Sequence, residues 1–198
     1  MRIQRGDKRD RAKRDPFILM RPFIIGIGGA HSKVGKTTIA CQILRRLNGW
    51  GAIKYSKTSF YSAIVDNPET LQQENKDTSR FINAGAQDVL WVQSPSEGIQ
   101  EVLQIAIDRL SHVQGIILEG NSAIESLKPE IVIFVSANGE IKRGAEKILS
   151  MADAIIFDKD LPKGTPTTAV RLHINDEEEY INFILGRLKL KIKKGHKL

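Results

Sequence analysis

Short apolar runs alternate along the chain with segments whose apolar positions recur every three or four residues, the pattern of buried strands joined by amphipathic helices. Arg21-Pro-Phe-Ile-Ile-Gly-Ile-Gly28 predicts a first strand. Lys36 to Leu47 predicts a helix with Ile39, Ile43, Leu44 and Leu47 on one face, stopped by Asn48-Gly49. Ala52-Ile-Lys-Tyr-Ser56 predicts a second strand. Residues 57–76 are polar and contain Pro68, so they predict a long loop with room for a short helix, and such loops in compact domains are often functional. Asp77 to Ala84 predicts a helix capped by Asp77 and ended by Gly85. Asp88 to Gln93 reads as a strand, and Ser96 as the cap of a helix running to Leu110 with Ile99, Val102, Leu103 and Ala106 inward. Gly115–Leu118, Glu130–Val135 and Asp153–Phe157 are three more β-branched runs of the kind that parallel sheets bury. Thr168–Ile174 predicts an edge strand and Glu177–Leu190 a closing helix. The alternation predicts an α/β class protein: a doubly wound, mostly parallel sheet in three layers.

Composition agrees with a globular chain. Of 198 residues, 41% are hydrophobic and 27% charged, and no apolar run reaches the ~18 residues that a bilayer span needs. The first fifteen residues are charged, which predicts no secretory signal, and the one cysteine, Cys41, excludes an internal disulfide framework. A cytoplasmic location is expected, with no membrane partner. The net charge of +7 is unevenly spread: residues 1–15 carry +4, residues 186–198 carry +6, and the body between them is net negative. The chain therefore divides into a basic tail at 1–16, a domain at 17–187 and a second basic tail at 188–198. Without aromatic platforms interleaved among the basic residues, nucleic acid is not an expected partner.

The chemistry concentrates in Gly28-Gly-Ala-His-Ser-Lys-Val-Gly-Lys-Thr-Thr38, which has an apolar strand leading in and an amphipathic helix leading out. This is the context of a phosphate loop, where backbone N–H groups and the positive end of a new helix converge on an anion. The candidate nucleotide-binding residues are Gly29, Ala30, His31, Ser32, Lys33, Val34, Gly35, Lys36, Thr37 and Thr38. Lys36 carries a charge to the β/γ-phosphates and Thr37 a hydroxyl to Mg²⁺. Gly35 is expected because a side chain there would collide with the loop or its ligand. The common spacing puts a glycine at position 30, where this chain has Ala; with Gly29 the loop reads Gly-x5-Gly-Lys-Thr.

Glu119 follows a buried strand directly, at the edge of an open sheet where ligands collect, so it is a metal candidate beside Thr37. Asp77 is a third metal candidate or a plain helix cap, and Arg80 a catalytic candidate beside Lys36 for charge on a transferring phosphoryl group. Asp66 joins Asp77 and Arg80 as a candidate switch region. Cys41 is expected to pack as a small hydrophobe, and Trp50 and Trp91 to lie in the core or an interface. Phe157-Asp-Lys-Asp-Leu161 is a candidate for guanine recognition, with Asp158 in place of the usual Asn and Asp160 serving as the carboxylate one place early, and equally a polar turn before Pro162.

The lengthened loop resembles that of dethiobiotin synthetase. Together with Ile-Lys54, Lys76-Asp-Thr-x-Arg80, Ala84-Gly-Ala86 and Glu119-Gly120 in this order, it resembles molybdopterin-guanine dinucleotide biosynthesis protein B over residues 22–135. That resemblance implies a P-loop protein that binds GTP with Mg²⁺, hydrolyses it slowly and works with a molybdopterin-processing protein. It also puts Asp77 and Arg80 on the nucleotide or substrate side of the cleft. The chain departs from the family where histidines are usual: Tyr55-Ser-Lys-Thr58 has none, Phe81 replaces another, and Asn121-Ser122 stands where an aromatic and a lysine are common. GTP and ATP both stay open as the nucleotide. An ATP-dependent ligase of the dethiobiotin synthetase type and a nucleotide-controlled adaptor with a protein partner are the alternatives, and a second copy of the chain is among the candidate partners.

Overall fold

The computed structural model describes residues 21–193, so the tail at 1–16 and the last five residues lie outside the described part. Its centre is an eight-stranded sheet in the order β3-β4-β2-β5-β1-β6-β7-β8. Strand β1 (Phe23–Gly29) is buried along its whole length between β5 (Gly115–Glu119) and β6 (Ile131–Asn138), and is parallel to both. Strand β2 (Trp50–Lys57) runs parallel between β5 and β4 (Val89–Ser94). On the other side, β7 (Ala154–Asp160) and β8 (Val170–His173) extend the sheet in parallel. β8 is an edge strand, as its pattern predicts.

Helices cover both faces, which explains the continuous apolar strands. Helix α1 (Lys36–Leu44) carries the chain from β1 to β2, and α3 (Asp77–Asn83) packs against it. Helices α4 (Ile99–Arg109), α5 (Asn121–Leu127) and α6 (Glu146–Ser150) pack as a second group. The closing helix α7 (Glu177–Lys193) is tied to α1 through Tyr180, whose hydroxyl donates to Gln42 at 2.7 Å. It runs past residue 188, and Leu188 is buried. Because β1 feeds α1 towards β2 while β5 returns through α5 to β6, the strand order switches direction beside β1, where open α/β sheets form their ligand crevice.

Several local expectations give way. The predicted loop at 57–76 contains the short helix it has room for, α2 (Pro68–Leu71) capped by Asn67, but also an unexpected strand β3 (Ala63–Val65), antiparallel to β4. Three residues are too few for a periodicity to register. Helix α1 ends at Leu44 rather than Leu47, although Leu47 is still buried. Ser96 is not the cap of α4: a turn at Glu97-Gly98 intervenes and Gly98 occupies the cap position. Helices α5 and α6 have no counterpart in the sequence pattern.

Trp50 lies in the core, beside Phe23 at 6.3 Å between ring centroids, and its indole covers Gly115 so closely that a Cβ there would come within 2.6 Å. Gly115→Ala should therefore destabilise by about 1–3 kcal/mol, as overpacking does. Gly186→Ala, in open space within α7, should stabilise by about 0.5–1 kcal/mol. Denaturant unfolding of the two variants beside the parent checks both signs.

Candidate functional site

The strand-to-helix turn after β1 sits at the C-terminal edge of the sheet, as the motif requires. Gly35 caps α1 with φ 98°, a left-handed conformation that favours glycine, and only Ile174 comes near an added Cβ, at 3.6 Å. Backbone conformation requires glycine there, and an added side chain would not collide with the loop itself. Gly29 needs space instead: an added Cβ would lie 2.9 Å from Val34 and 3.0 Å from the Lys36 stem. Ala30 and Val34 are buried, while Ser32 and Lys33 are exposed and line the cavity that the loop borders.

Lys36 folds back over its own loop and donates from Nζ to the His31 carbonyl at 2.7 Å. Burial holds its ammonium below the usual lysine range, with Glu119 pulling the other way. The Thr37 hydroxyl lies between two carboxylates, 2.9 Å from Asp77 Oδ1 and 2.8 Å from Glu119 Oε2. Lys54 spans the other oxygen of each, with Nζ 2.5 Å from Asp77 Oδ2 and 2.6 Å from Glu119 Oε1. The four side chains close a ring across α1, α3, β2 and β5. Burial alone would lower the Lys54 pKa, but Glu119 and Asp77 outweigh it and the net shift is upward. Asp77 is shifted down, because its bonds to Lys54 and Thr37 overcome the cost of burial.

Glu119 is 1% exposed, so it is a buried group of the site and not a surface glutamate at a strand end. Asp77 is not the cap of α3. Lys76 holds that position, and the Asp77 carboxylate turns to the ammonium and the hydroxyl, which bind it more strongly than a backbone N–H would. Arg80 reaches the same wall, donating to Thr38 Oγ1 at 2.9 Å. Asp66 is elsewhere, paired with Arg109 at 3.1 Å, so it does not belong with Asp77 and Arg80. Cys41 is packed, with its thiol pushed up by burial. Asp158 and Asp160 do not line this cavity.

Two residues at the site carry no motif. The Asn121 amide clamps Gly29 from both sides, accepting from its N–H at 2.9 Å and donating to its carbonyl at 3.0 Å. The Lys142 backbone N–H donates to the Ala30 carbonyl at 3.0 Å, and its side chain lines the cavity. Neither has a local signal, since both follow other strands. The cavity has a volume of about 690 Å³. Six cationic side chains line it against two carboxylates, a net charge of +4 that suits a polyanion.

The donor set suits magnesium. Hard oxygen ligands around this ion sit at bond lengths of about 2.0–2.1 Å, which separates adjacent ligands by about 2.9 Å. The Thr37 oxygen has that spacing to one oxygen of Asp77 and one of Glu119. One hydroxyl proton also cannot satisfy two carboxylates at once, so only one of these two oxygens receives it.

No family model matches the chain, and no curated protein matches it. The solved structure of HypB from Helicobacter pylori in complex with nickel is similar over 89% of this chain and 92% of its own, at 15% identity and a TM-score of 0.52. The structure of the signal recognition particle receptor FtsY from Elizabethkingia anophelis matches 77% of this chain and 58% of its own, at 11% identity and a TM-score of 0.41. The likeness to HypB bears on the fold. With the mostly parallel sheet and the loop after β1, it gives the chain the P-loop NTPase fold. Among the described residues no helix is long and apolar enough to cross a membrane.

Asn121→Ala leaves the Gly29 N–H without its side-chain acceptor. It should cost about 1–3 kcal/mol of stability, the range for an unpaired polar group, measured by denaturant unfolding. Ser122→Ala, beside it but outside the clamp, should stay within about 0.5 kcal/mol of the parent.

Proposed function

We propose that the protein binds a nucleoside triphosphate with Mg²⁺ in the cavity after β1 and hydrolyses it slowly. The observation that carries this reading is the Thr37 hydroxyl set between buried Glu119 and Asp77 directly beneath a glycine-bounded loop. In this reading Lys36 exchanges the His31 carbonyl for the β/γ-phosphates, and the backbone of residues 29–38 wraps the phosphate chain. Thr37, Asp77 and Glu119 hold Mg²⁺ or its water shell, and the ion when bound neutralises charge on the β- and γ-oxygens. Arg80, at the cavity wall, adds charge on the transferring group. A water oxygen bonds to the γ-phosphorus as the bond from phosphorus to the bridging oxygen breaks. The nucleoside diphosphate leaves with that electron pair; one of the water's two protons stays on inorganic phosphate and the other is shared between that phosphate and solvent.

The resemblance to molybdopterin-guanine dinucleotide biosynthesis protein B supports GTP as the nucleotide and an accessory role, with a molybdopterin-processing protein, in maturation of a molybdenum cofactor. The nickel of the HypB structure is not carried over: among the described residues, no three His, Cys, Asp or Glu side chains cluster as metal ligands. The ligase reading draws on one observation, a second cavity of about 110 Å³ that shares Lys54 and Asp77 with the first and is backed by Trp91. Turnover of GTP or ATP with no acceptor present favours the hydrolase, and turnover only with an acceptor favours the ligase.

Calorimetric titration with GTP and ATP in parallel tests binding and base preference. Lys36→Ala should weaken triphosphate binding by about ten- to a hundredfold, the weight of a charge-assisted bond, and leave the fold intact. Unchanged affinity would remove the reading. Glu119→Gln should weaken binding in the presence of Mg²⁺ more than in its absence. It should lower turnover further still, since charge neutralisation matters most where charge moves in the transition state.

A further inference from the structure

The Lys54 ammonium is bonded to both carboxylates that the functional reading gives to the metal, and this inference rests on that reading. Its position is set by the sheet. Lys54 and Glu119 are register partners on neighbouring strands β2 and β5, so their side chains emerge side by side on one face. Packing of α3 on α1 then brings Asp77 to the same ammonium. Lys54 is 18% exposed at its side chain and Glu119 only 2%, so the charges meet with little solvent between them.

The arithmetic of charge gives this contact a consequence. Asp77 and Glu119 are the two acids of the cavity wall, while Lys36 and Lys54 are both electrostatically close to them. Arg80 acts on Asp77 as well, so the positive charge around the two acids at least matches theirs and leaves no local excess of negative charge to hold a divalent cation. A triphosphate adds about four negative charges at the same place and reverses that balance. Lys54 also occupies the outer oxygen of each carboxylate, so the acids can turn fully to a metal only if this ammonium shifts.

We propose that Lys54 is a built-in counter-ion that makes loading of the divalent metal conditional on a polyphosphate. It holds buried Glu119 and half-buried Asp77 in place without metal, and it prevents the protein from collecting Mg²⁺ or Mn²⁺ in the absence of nucleotide.

The test uses Mn²⁺ as the probe, followed by its electron paramagnetic resonance signal, with the parent, Lys54→Met and Lys54→Arg. Without nucleotide, Lys54→Met should bind Mn²⁺ about ten- to a thousandfold more tightly than the parent, the range by which one neighbouring charge shifts a carboxylate equilibrium. Lys54→Arg should behave like the parent. Lys54→Met should also melt at a lower temperature than the parent and regain that loss when Mg²⁺ is added, while the parent's melting temperature is insensitive to Mg²⁺ alone. With a non-hydrolysable triphosphate present, the parent and Lys54→Arg should both take up Mn²⁺.

A Lys54→Met variant that gains no affinity for Mn²⁺ overturns the proposal. So does a parent protein that binds Mn²⁺ as tightly alone as with the triphosphate, a measurement that needs no variant to fold. A fluorescent triphosphate titrated without metal separates the two levels. If it binds and the Mn²⁺ arms fail, only the role of Lys54 falls; if it binds neither parent nor variant, the functional reading falls and this inference with it.

Discussion

A buried carboxylate without a partner would be costly in this core, and the arrangement around Glu119 is the constraint on which the site depends. Glu119 ends a strand that is buried from its first residue to its last. It is compensated by the Lys54 ammonium on one oxygen and the Thr37 hydroxyl on the other. Asp77, from helix α3, meets the same ammonium and competes for the same hydroxyl proton. Because the ring joins α1, α3, β2 and β5, it fixes the start of α1 relative to the sheet. The loop between β1 and α1 inherits that geometry.

The loop is held from its other side by polar contacts to its backbone. Asn121 grips Gly29 just after β5, and the Lys142 N–H grips Ala30 just after β6. β5 and β6 are the two strands that flank β1, so the tethers come from either side of it. Asn121 also gives a structural meaning to one departure from the resembled family, which commonly has an aromatic residue and a lysine after the Glu-Gly pair. Here an amide serves as a bracket for the turn.

Charge distribution separates the site from the rest of the domain. The body of the chain is net negative, yet the cavity after β1 is net positive, with basic side chains drawn from the loop, β2, α3 and the segment after β6. This inversion needs those elements to converge, and they converge where the strand order switches direction. A field of this kind attracts polyanions and strengthens every phosphate contact that the loop's N–H groups make.

The sequence by itself determined the elements whose signal is local. Apolar runs marked β1, β2, β4, β5, β6 and β7, because a strand buried on both faces has no polar alternation to blur it, while β8, mostly exposed, was legible as an edge strand. The glycine-bounded loop declared its own strand-to-helix context, and Glu119 was legible because it directly follows a buried run. Only the tertiary structure decided which side chains meet. Thr37 and Glu119 are 82 positions apart, Gly29 and Asn121 are 92, and no window of the chain contains either pair. The same competition misled the local rules: Asp77 carries the mark of a helix cap, but an ammonium delivered by β2 binds a carboxylate better than a backbone N–H does. Asp66 reads from the sequence as part of one candidate switch region with Asp77 and Arg80, and its place between β3 and α2 sends it to Arg109 instead. Local pattern sets the backbone states, whereas strand order and helix packing set the distances between charges, and the chemistry of this site depends on those distances.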